Sequence, residues 1–466
     1  VRIFRHYVHL PIAVLATVET IALLFIMYVA VYLRFDEPLA VVEQDPDVGP
    51  IWPRAVVFAV VAVSCLIATG LYSIRLRTNF FGTLVRIGTS VLAAVAVTAL
   101  IYYFVPKLYI GRGVMAYVAA LAFGVVAVMR FVFMKVVDEE LFKRRVLVFG
   151  CGWQAESISR LRRRSDQRGF LIVGYVAPPG DKCLVPAERI VDPGTSLLDF
   201  ARANHVDEVV IAMDDRRRAF PLGDLLECRM GGIDVVDLVT FLERETGKVR
   251  LDVLNPSWMI FSDGFRRDPL RLASERSFDI LVSLVLLALS WPLMLLTALA
   301  IKLEGGWSAP VFYRQTRVGF EGRLFDVLKF RSMTIDAERD GQARWAERGD
   351  ARITRVGAVI RKIRLDELPQ VLNVLRGDMS FVGPRPERPE FVEELNQMIP
   401  YYSERHCVKP GITGWAQLCY PYGSSAHDAA EKLQFDLYYV KNHSLLFDVM
   451  ILLQTAEVVL WGKGGR

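Results

Sequence analysis

The stretch Arg361–Pro386, RKIRLDELPQVLNVLRGDMSFVGPRP, sets two adjacent carboxylates, Asp366 and Glu367, among basic residues. Arg361, Lys362 and Arg364 precede them and Arg385 follows. Leu368, Val371, Leu372 and Leu375 recur at helical spacing, Pro369 suits a first turn, and Gly377 suits a C-terminal stop. The pattern predicts an amphipathic helix with both acids at its N-terminus. Unpaired N–H groups and the helix dipole favour ionised carboxylates there, so both are expected to be charged at neutral pH. Such acids bind metal or attack phosphorus, and arginines clamp phosphate oxygens. The set suits a phosphate-rich substrate, with Mg2+ on one acid and the other as nucleophile. The plainer reading, acids capping a helix beside a solvated or lipid-facing basic surface, fits the spacing equally well.

Around this stretch lies a chain of 466 residues, enough for about three domains, of which 53% are hydrophobic. That composition is expected of a membrane protein. The net charge of +5 is too mild to argue for nucleic acid, and suits phosphate and anionic lipid instead. Six cysteines, Cys65, Cys151, Cys183, Cys228, Cys407 and Cys419, contain no CxxC pair. They read as reduced, structural cysteines of a cytoplasmic protein. The histidines form no HExxH or His/Cys cluster, so no zinc site is expected.

Four apolar segments, Leu10 to Leu33, Ile51 to Tyr72, Leu84 to Val105 and Val114 to Val137, are long enough to span a bilayer. They predict a four-helix transmembrane domain over 1–140. No small-residue cleavage site follows the first, which reads as a retained anchor. Arg2, Arg5, Arg75 and Arg77 flank the spans on one side, and Asp36, Glu37, Glu43, Asp45 and Asp47 on the other. By the positive-inside rule the N-terminus and the chain after Lys143 are cytoplasmic, although Lys107 and Arg112 stand in an outer loop.

Over 141–265, β runs such as VLVFG, FLIVGYV, DEVVIAM and IDVVDL alternate with helical ones, which predicts a parallel, Rossmann-like sheet. Gly150-Cys-Gly152-Trp-Gln-Ala155 follows the first strand and opens a helix, so Gly150 and Gly152 are nucleotide-binding candidates. No acidic residue clearly closes the second strand where a ribose ligand would be expected. A sheet kept for assembly or regulation, with no bound dinucleotide, is therefore the preferred reading.

The remaining domain, 266–466, begins with Ile280 to Ile301, about 33 Å as a straight helix and so long enough for a fifth span. A crossing would export the acids and a chain dense in arginines. Ser290 and Pro292 stand at its middle, where proline frees a carbonyl and kinks a helix while a serine hydroxyl can satisfy that carbonyl. These residues predict a re-entrant helix over about 279–303. VFYRQTRVGFEGRLFDVLKFRSM predicts two strands about a Gly319 to Gly322 turn, ending in Lys329 and Arg331. Those two either bind phosphate or form a membrane-facing basic surface. The charged run Asp336 to Asp350 is expected to cover the site. Val408 to Gln417 reads as a rigid turn shaping a pocket wall or simply a tight turn, with Trp415 stacking on a base or packing. The C-terminal apolar run, broken by Asp448, Gln454 and Glu457, suits an interfacial helix.

LDELPQVLNVLRGDMSFVGPRP resembles the signature of the bacterial sugar transferases, the monotopic polyprenyl-phosphate phosphoglycosyl transferases. KFRSM upstream, with VKPGITGWAQ and DLYYVKN downstream, stands in the family's order, so the resemblance covers roughly residues 275 to 466. It implies transfer of a sugar-1-phosphate from a UDP-sugar, such as a UDP-hexose, to polyprenyl (undecaprenyl) phosphate, releasing UMP. It further implies Asp366 as nucleophile, Glu367 as Mg2+ ligand, Arg361 and Arg385 as phosphate-binding arginines, and a re-entrant helix in a mainly helical monotopic catalytic domain. The family's Ser-Pro dipeptide stands here as Ser290-Trp291-Pro292. Residues 141–265 resemble the CoA-binding-like domain of large family members, and HCVKPGITGWAQLCYPYGSS resembles members tied to exopolysaccharide or exosortase-associated synthesis. A multi-pass protein of the bacterial inner membrane, in contact with its lipids and forming a homodimer, is the expected setting. Two other classes compete. A membrane-anchored nucleotide-sugar dehydratase or epimerase needs TGxxGxxG and YxxxK, but the first is absent and the sole YxxxK, Tyr103 to Lys107, lies in an apolar segment. A non-catalytic scaffold of a polysaccharide assembly complex requires the dyad to be idle.

Overall fold

A computed structural model describes every residue except 1, 4–5, 8–9, 46–48, 73–79, 137–142, 160, 162–168, 180–181, 195, 216–219, 255, 262–268, 335–351, 421–422, 424 and 461–466. The chain divides into two compact units, Tyr7–Val253 and Leu254–Arg466. The expected charged cover, Asp336 to Asp350, lies outside the described residues.

Among the described residues the first unit carries four long apolar helices, α1 (Leu10–Phe35), α2 (Trp52–Ala68), α3 (Phe80–Phe104) and α4 (Arg112–Val136), with a short helix, Leu39–Gln44, between the first two. α1 packs on α2 and α4, and α3 packs on the same two, which makes a bundle. Leu23, Met27, Phe58, Ile87 and Val118 fill its interior, while Phe25, Val60, Leu92 and Val128 point outward as lipid-facing residues do. α1, α3 and α4 are long and apolar enough to cross a membrane. α2 is shorter than the segment read from hydropathy: its 17 residues, about 25 Å, end where Thr69 bonds back to Cys65. Glu19 and Arg130 meet at 2.9 Å inside the bundle, an arrangement apolar surroundings tolerate because each charge has a partner.

A parallel five-stranded sheet follows, built from β1 (Arg144–Phe149), β2 (Phe170–Val176), β3 (Ile190–Val191), β4 (Glu208–Ile211) and β5 (Asp234–Asp237). Its order is β3-β2-β1-β4-β5. Helices α5 (Trp153–Ser159), α6 (Leu197–Ala203), α7 (Leu222–Met230) and α8 (Leu238–Thr246) alternate with the strands. Burial by these crossovers explains why Val146–Phe149 of β1 and Val209–Ile211 of β4 are continuously apolar rather than alternating. The reading of all six cysteines as reduced is corrected here: Cys151 and Cys183 form a disulfide, and the other four are free. The turn after β1 and the loop after β2 meet at one edge of the sheet, where Leu184 N–H donates to Cys151 O at 2.7 Å. A separation of 32 residues hides that encounter from any spacing rule. Cysteine usage consequently no longer argues for a reducing compartment.

The second unit is mainly helical. After a short helix, Pro256–Phe261, comes α9 (Pro269–Gly305), one continuous helix of 37 residues with Pro292 inside it. The β6 (Phe312–Val318) and β7 (Leu324–Phe330) hairpin matches the expected pair of strands. Then come α10 (Arg355–Lys362), α11 (Gln370–Arg376), β8 (Ser380–Val382), α12 (Pro389–Met398), β9 (Gly411–Thr413), α13 (Trp415–Cys419), α14 (Ala426–Asn442) and α15 (Leu445–Leu460). α9 is long and apolar enough to cross a membrane, yet one face packs on the unit: Met294, Ala298 and Ile301 meet Phe330, Ile360, Leu365 and Leu368. Ser290 Oγ makes no hydrogen bond, so it does not satisfy the carbonyl freed by Pro292. On α15 the first polar interruption, Asp448, faces protein rather than an interface. Asp448 is buried and accepts from Tyr439 OH at 2.7 Å, and the hydroxyls of Thr455 and Thr413 meet at 2.7 Å. Trp415 packs against Tyr438 and Phe447.

Candidate active site

The acids stand on a single 3-10 turn, Leu365–Glu367, between α10 and α11. This corrects the expected helix N-terminus. Pro369 offers no N–H to carry an α-helical ladder back into the turn, and Arg364 adopts a left-handed φ of 61°, which separates the turn from α10. α11 therefore starts at Gln370 and stops, as read, at Gly377, whose φ of 93° suits a residue without Cβ.

Remote segments bring the cations in. Asn373, fully buried on α11, donates to Asp326 O at 2.7 Å and accepts from Leu328 N–H at 3.0 Å, which stitches β7 to the dyad helix. Lys329 Nζ thereby lies 3.3 Å from Glu367 Oε1. Within the motif Val408 to Gln417, β9 pairs in parallel with β8, and beside that pairing Gly383 N–H donates to Thr413 O and Gly411 N–H to Pro384 O, which ties the Arg385 loop to the motif. Arg405, paired with buried Asp436 at 2.8 Å, donates to Arg385 O at 3.0 Å. So held, Arg385 reaches Glu367 Oε1 at 3.5 Å, and Arg364 reaches the same oxygen at 3.8 Å.

The two acids separate electrostatically. Burial alone would push the Glu367 carboxyl up, but Lys329, Arg385 and Arg364 hold it at about 2. Asp366 moves the other way, pushed up by burial and then by the charge of Glu367, with Lys329, Arg361 and Arg364 opposing. The expected charge at neutral pH holds for Glu367, while Asp366 shifts in the opposite direction from its neighbour. Burial also pushes the Lys329 ammonium down, with Glu367 opposing. Asp366 Oδ1 is buried without a hydrogen-bond partner, and among the described residues the three cations on Glu367 all contact Oε1. Two carboxylate edges are thus left for a metal ion or a phosphoryl group.

Of the sequence-read residues, the structure gathers Asp366, Glu367, Lys329 and Arg385, with Arg361 as a positive charge acting on Asp366. Arg331 goes elsewhere, its guanidinium lying against Gly305 at the end of α9. Ser290 and Pro292 lie within α9. Arg317, Asn373 and Arg405 were missed. Arg317 donates to Pro386 O at 3.1 Å beside the Arg385 loop, and its alternation with Gln315 on β6 was the available signal. Gly150 and Gly152 form the turn into α5 in the first unit. The N–H groups of Trp153 and Gln154, which would face a bound phosphate, donate to Asp214 Oδ2 and Oδ1 at 3.0 and 2.9 Å. A phosphate there would have to displace the chain's own carboxylate.

Comparison with known proteins follows the same division. The family model described as Bacterial sugar transferase matches residues 270–462, and one described as CoA-binding domain matches 67–219. The chain is 38% identical over 327 residues, 70% of its length and 74% of the relative's, to a UDP-N-acetylgalactosamine-undecaprenyl-phosphate N-acetylgalactosaminephosphotransferase of Aeromonas hydrophila. It is 43% identical over 322 residues, 67% of each chain, to a UDP-glucose:undecaprenyl-phosphate glucose-1-phosphate transferase of Escherichia coli. A Xanthomonas campestris protein of the same name is 33% identical over 69% of this chain and 67% of its own. With four motif blocks in order around a dyad ringed by cations, and with identity of this extent, the chain belongs to the bacterial sugar transferase family.

Proposed function

We propose that this enzyme transfers a sugar-1-phosphate from a UDP-sugar to undecaprenyl phosphate, giving undecaprenyl-diphosphate-sugar and UMP, the initiating step of exopolysaccharide or other glycoconjugate synthesis. The relatives' names divide between N-acetylgalactosamine and glucose. Their common part, a UDP-sugar and undecaprenyl phosphate, is what this reading takes. The observation that carries it is the dyad itself, one carboxylate locked among three cations beside another with an unpartnered oxygen.

Asp366 is the nucleophile in this reading. Its free oxygen attacks the sugar-side phosphorus, forming an acyl-phosphate as the bond to the UMP oxygen breaks. An undecaprenyl phosphate oxygen then attacks the same phosphorus and returns the Asp366 carboxylate. Lys329 and Arg385 meet the donor's charge and that developing on the leaving phosphate, and because they are already held in place they need no reorganisation. Glu367 is the oxygen donor that would hold Mg2+. Once bound, the ion neutralises charge on the diphosphate.

The geometry of α9 supports the re-entrant reading. Arg276 near one end donates to Val374 O at 2.6 Å, and Glu304 near the other accepts from Arg355 N–H at 2.7 Å. On a straight helix these residues would stand about 42 Å apart, on opposite sides of a hydrocarbon core of about 30 Å. Both instead bind one polar stretch, 355–381, which favours one membrane face for both ends. We place that face on the cytoplasmic side of the inner membrane, where a nucleotide sugar meets a lipid phosphate. The strand order of the sheet likewise supports a Rossmann-like domain.

The test is UMP release from a panel of UDP-sugars by the full chain in nanodiscs with Mg2+ and undecaprenyl phosphate. Acceptor-dependent UMP from one sugar, lowered at least about 10³-fold in Asp366→Asn and Glu367→Gln, is expected. Equal release by wild type and both variants, all verified as folded, would sink the reading. Labelled phosphosugar retained on wild type without acceptor, and absent from Asp366→Asn, is expected of the covalent order; its absence from wild type would favour direct attack by the lipid phosphate.

A further inference from the structure

α9 makes contacts with the elements on either side of the dyad that membrane anchoring does not require. The last carbonyls of any helix lack intrahelical donors, and those of α11 receive theirs from α9. Arg276 donates to Val374 O at 2.6 Å and to Leu375 O, and its guanidinium, with Lys409, lies over Gly377. Asp279, nearly one turn further and buried, accepts from Ser380 Oγ at 3.0 Å and Phe381 N–H at 3.2 Å. At the other end, Glu304 accepts from Arg355 N–H at 2.7 Å and Val356 N–H at 3.1 Å, satisfying the first orphan donors of α10. The dyad turn is thus suspended between two helices, one begun and the other ended by side chains of the membrane helix. The strand leading to Arg385 is pinned by a third.

We propose that Arg276, Asp279 and Glu304 are positioning residues that cap the helices on either side of the dyad from α9 and pin the Arg385 loop, making the membrane helix a structural part of the active site. The proposal deepens the transferase reading and rests on it for its catalytic consequence. The physical link runs from Asp279 through Ser380–Val382 to Arg385, and from Glu304 through α10 to Arg361. If α9 shifts in the membrane, both arms of the site shift with it.

Two measurements test this on the full chain in nanodiscs. Hydrogen exchange needs no substrate. Asp279→Ala is expected to speed exchange of the 380–386 amides about ten-fold, and exposed Glu304→Ala that of 355–357, with the β1–β5 amides unchanged. Unchanged exchange in both segments would overturn the capping role even if transfer proceeds. The second measurement is a mutant cycle with Arg385→Ala. Asp279→Ala is expected to lower kcat about 10²-fold in wild type but less than about three-fold when Arg385 is absent, because both act through one contact. Asp279→Asn and Glu304→Gln, which keep an acceptor oxygen, should recover most of the rate. An equal fold-loss in both backgrounds, without that recovery, would overturn the positioning role. Should wild type show no transfer at all, the transferase reading fails and hydrogen exchange alone decides whether the caps exist.

Discussion

Burial penalises charge on Asp366 and Glu367 alike, yet three cations on Glu367 Oε1 reverse the penalty for one acid and not for the other. The sign of each pH effect follows. Glu367, held at about 2, contributes stability that is fully present above the ordinary carboxylate range and is lost as pH falls towards 2. In the proposed mechanism Asp366, pushed up, loses its proton before it attacks, so the acid limb of kcat should report a value above an ordinary aspartate's. Lys329 is the largest attractive charge on both acids. Lys329→Met is therefore expected to shift that limb to higher pH, and to lower kcat at neutral pH about 10²-fold, in a pH–rate profile of UMP release. A limb unmoved in this variant would mean that Lys329 does not set the ionisation of Asp366. The dyad was legible because its members are adjacent in a charged sequence. Their unequal titration was not, since Lys329 and Arg385 arrive from β7 and from the loop after β8, along routes fixed by Asn373 and Arg405.

At the level of elements, the end of α11 was read better than its beginning. Gly377 announced the end of α11, and the local chemistry agrees: its φ of 93° is one that a Cβ makes strained. Gly377→Ala is expected to cost about 1 kcal/mol, seen as a lower Tm, and to disturb transfer through the adjoining Arg276 cap. A Tm equal to wild type would show that the loop has another conformation open to it. The start of α11 was misplaced because Leu368 to Leu375 has helical periodicity, while Arg364, an ordinary residue in a left-handed conformation, leaves no trace in the pattern. The Cys151–Cys183 pair was illegible for a different reason. Only the parallel order of β1 and β2 brings their following loops to one edge, and strand order is not written in cysteine spacing.

For the whole molecule, hydropathy recognised each apolar helix but could not distinguish a crossing from a return. α9 passes every test of length and apolarity for a span, and the proposed return rests on the side chains at its two ends. Those contacts predict a labelling pattern. Leu270 and Trp307, at opposite ends of α9, are 81% and 74% exposed, so a cysteine at either place should react with a maleimide unable to cross membranes. Exposed Cys407 would first be replaced by serine to clear the background. Leu270→Cys and Trp307→Cys are expected to label together in inverted vesicles and to be protected together in spheroplasts. Labelling of one in each preparation would establish a crossing helix. It would also place the Arg276 and Glu304 caps on opposite membrane faces, where they could not both bind the segment that carries the dyad. The side on which one residue reacts thus tests the membrane path of α9, and with it the route by which a lipid phosphate reaches Asp366.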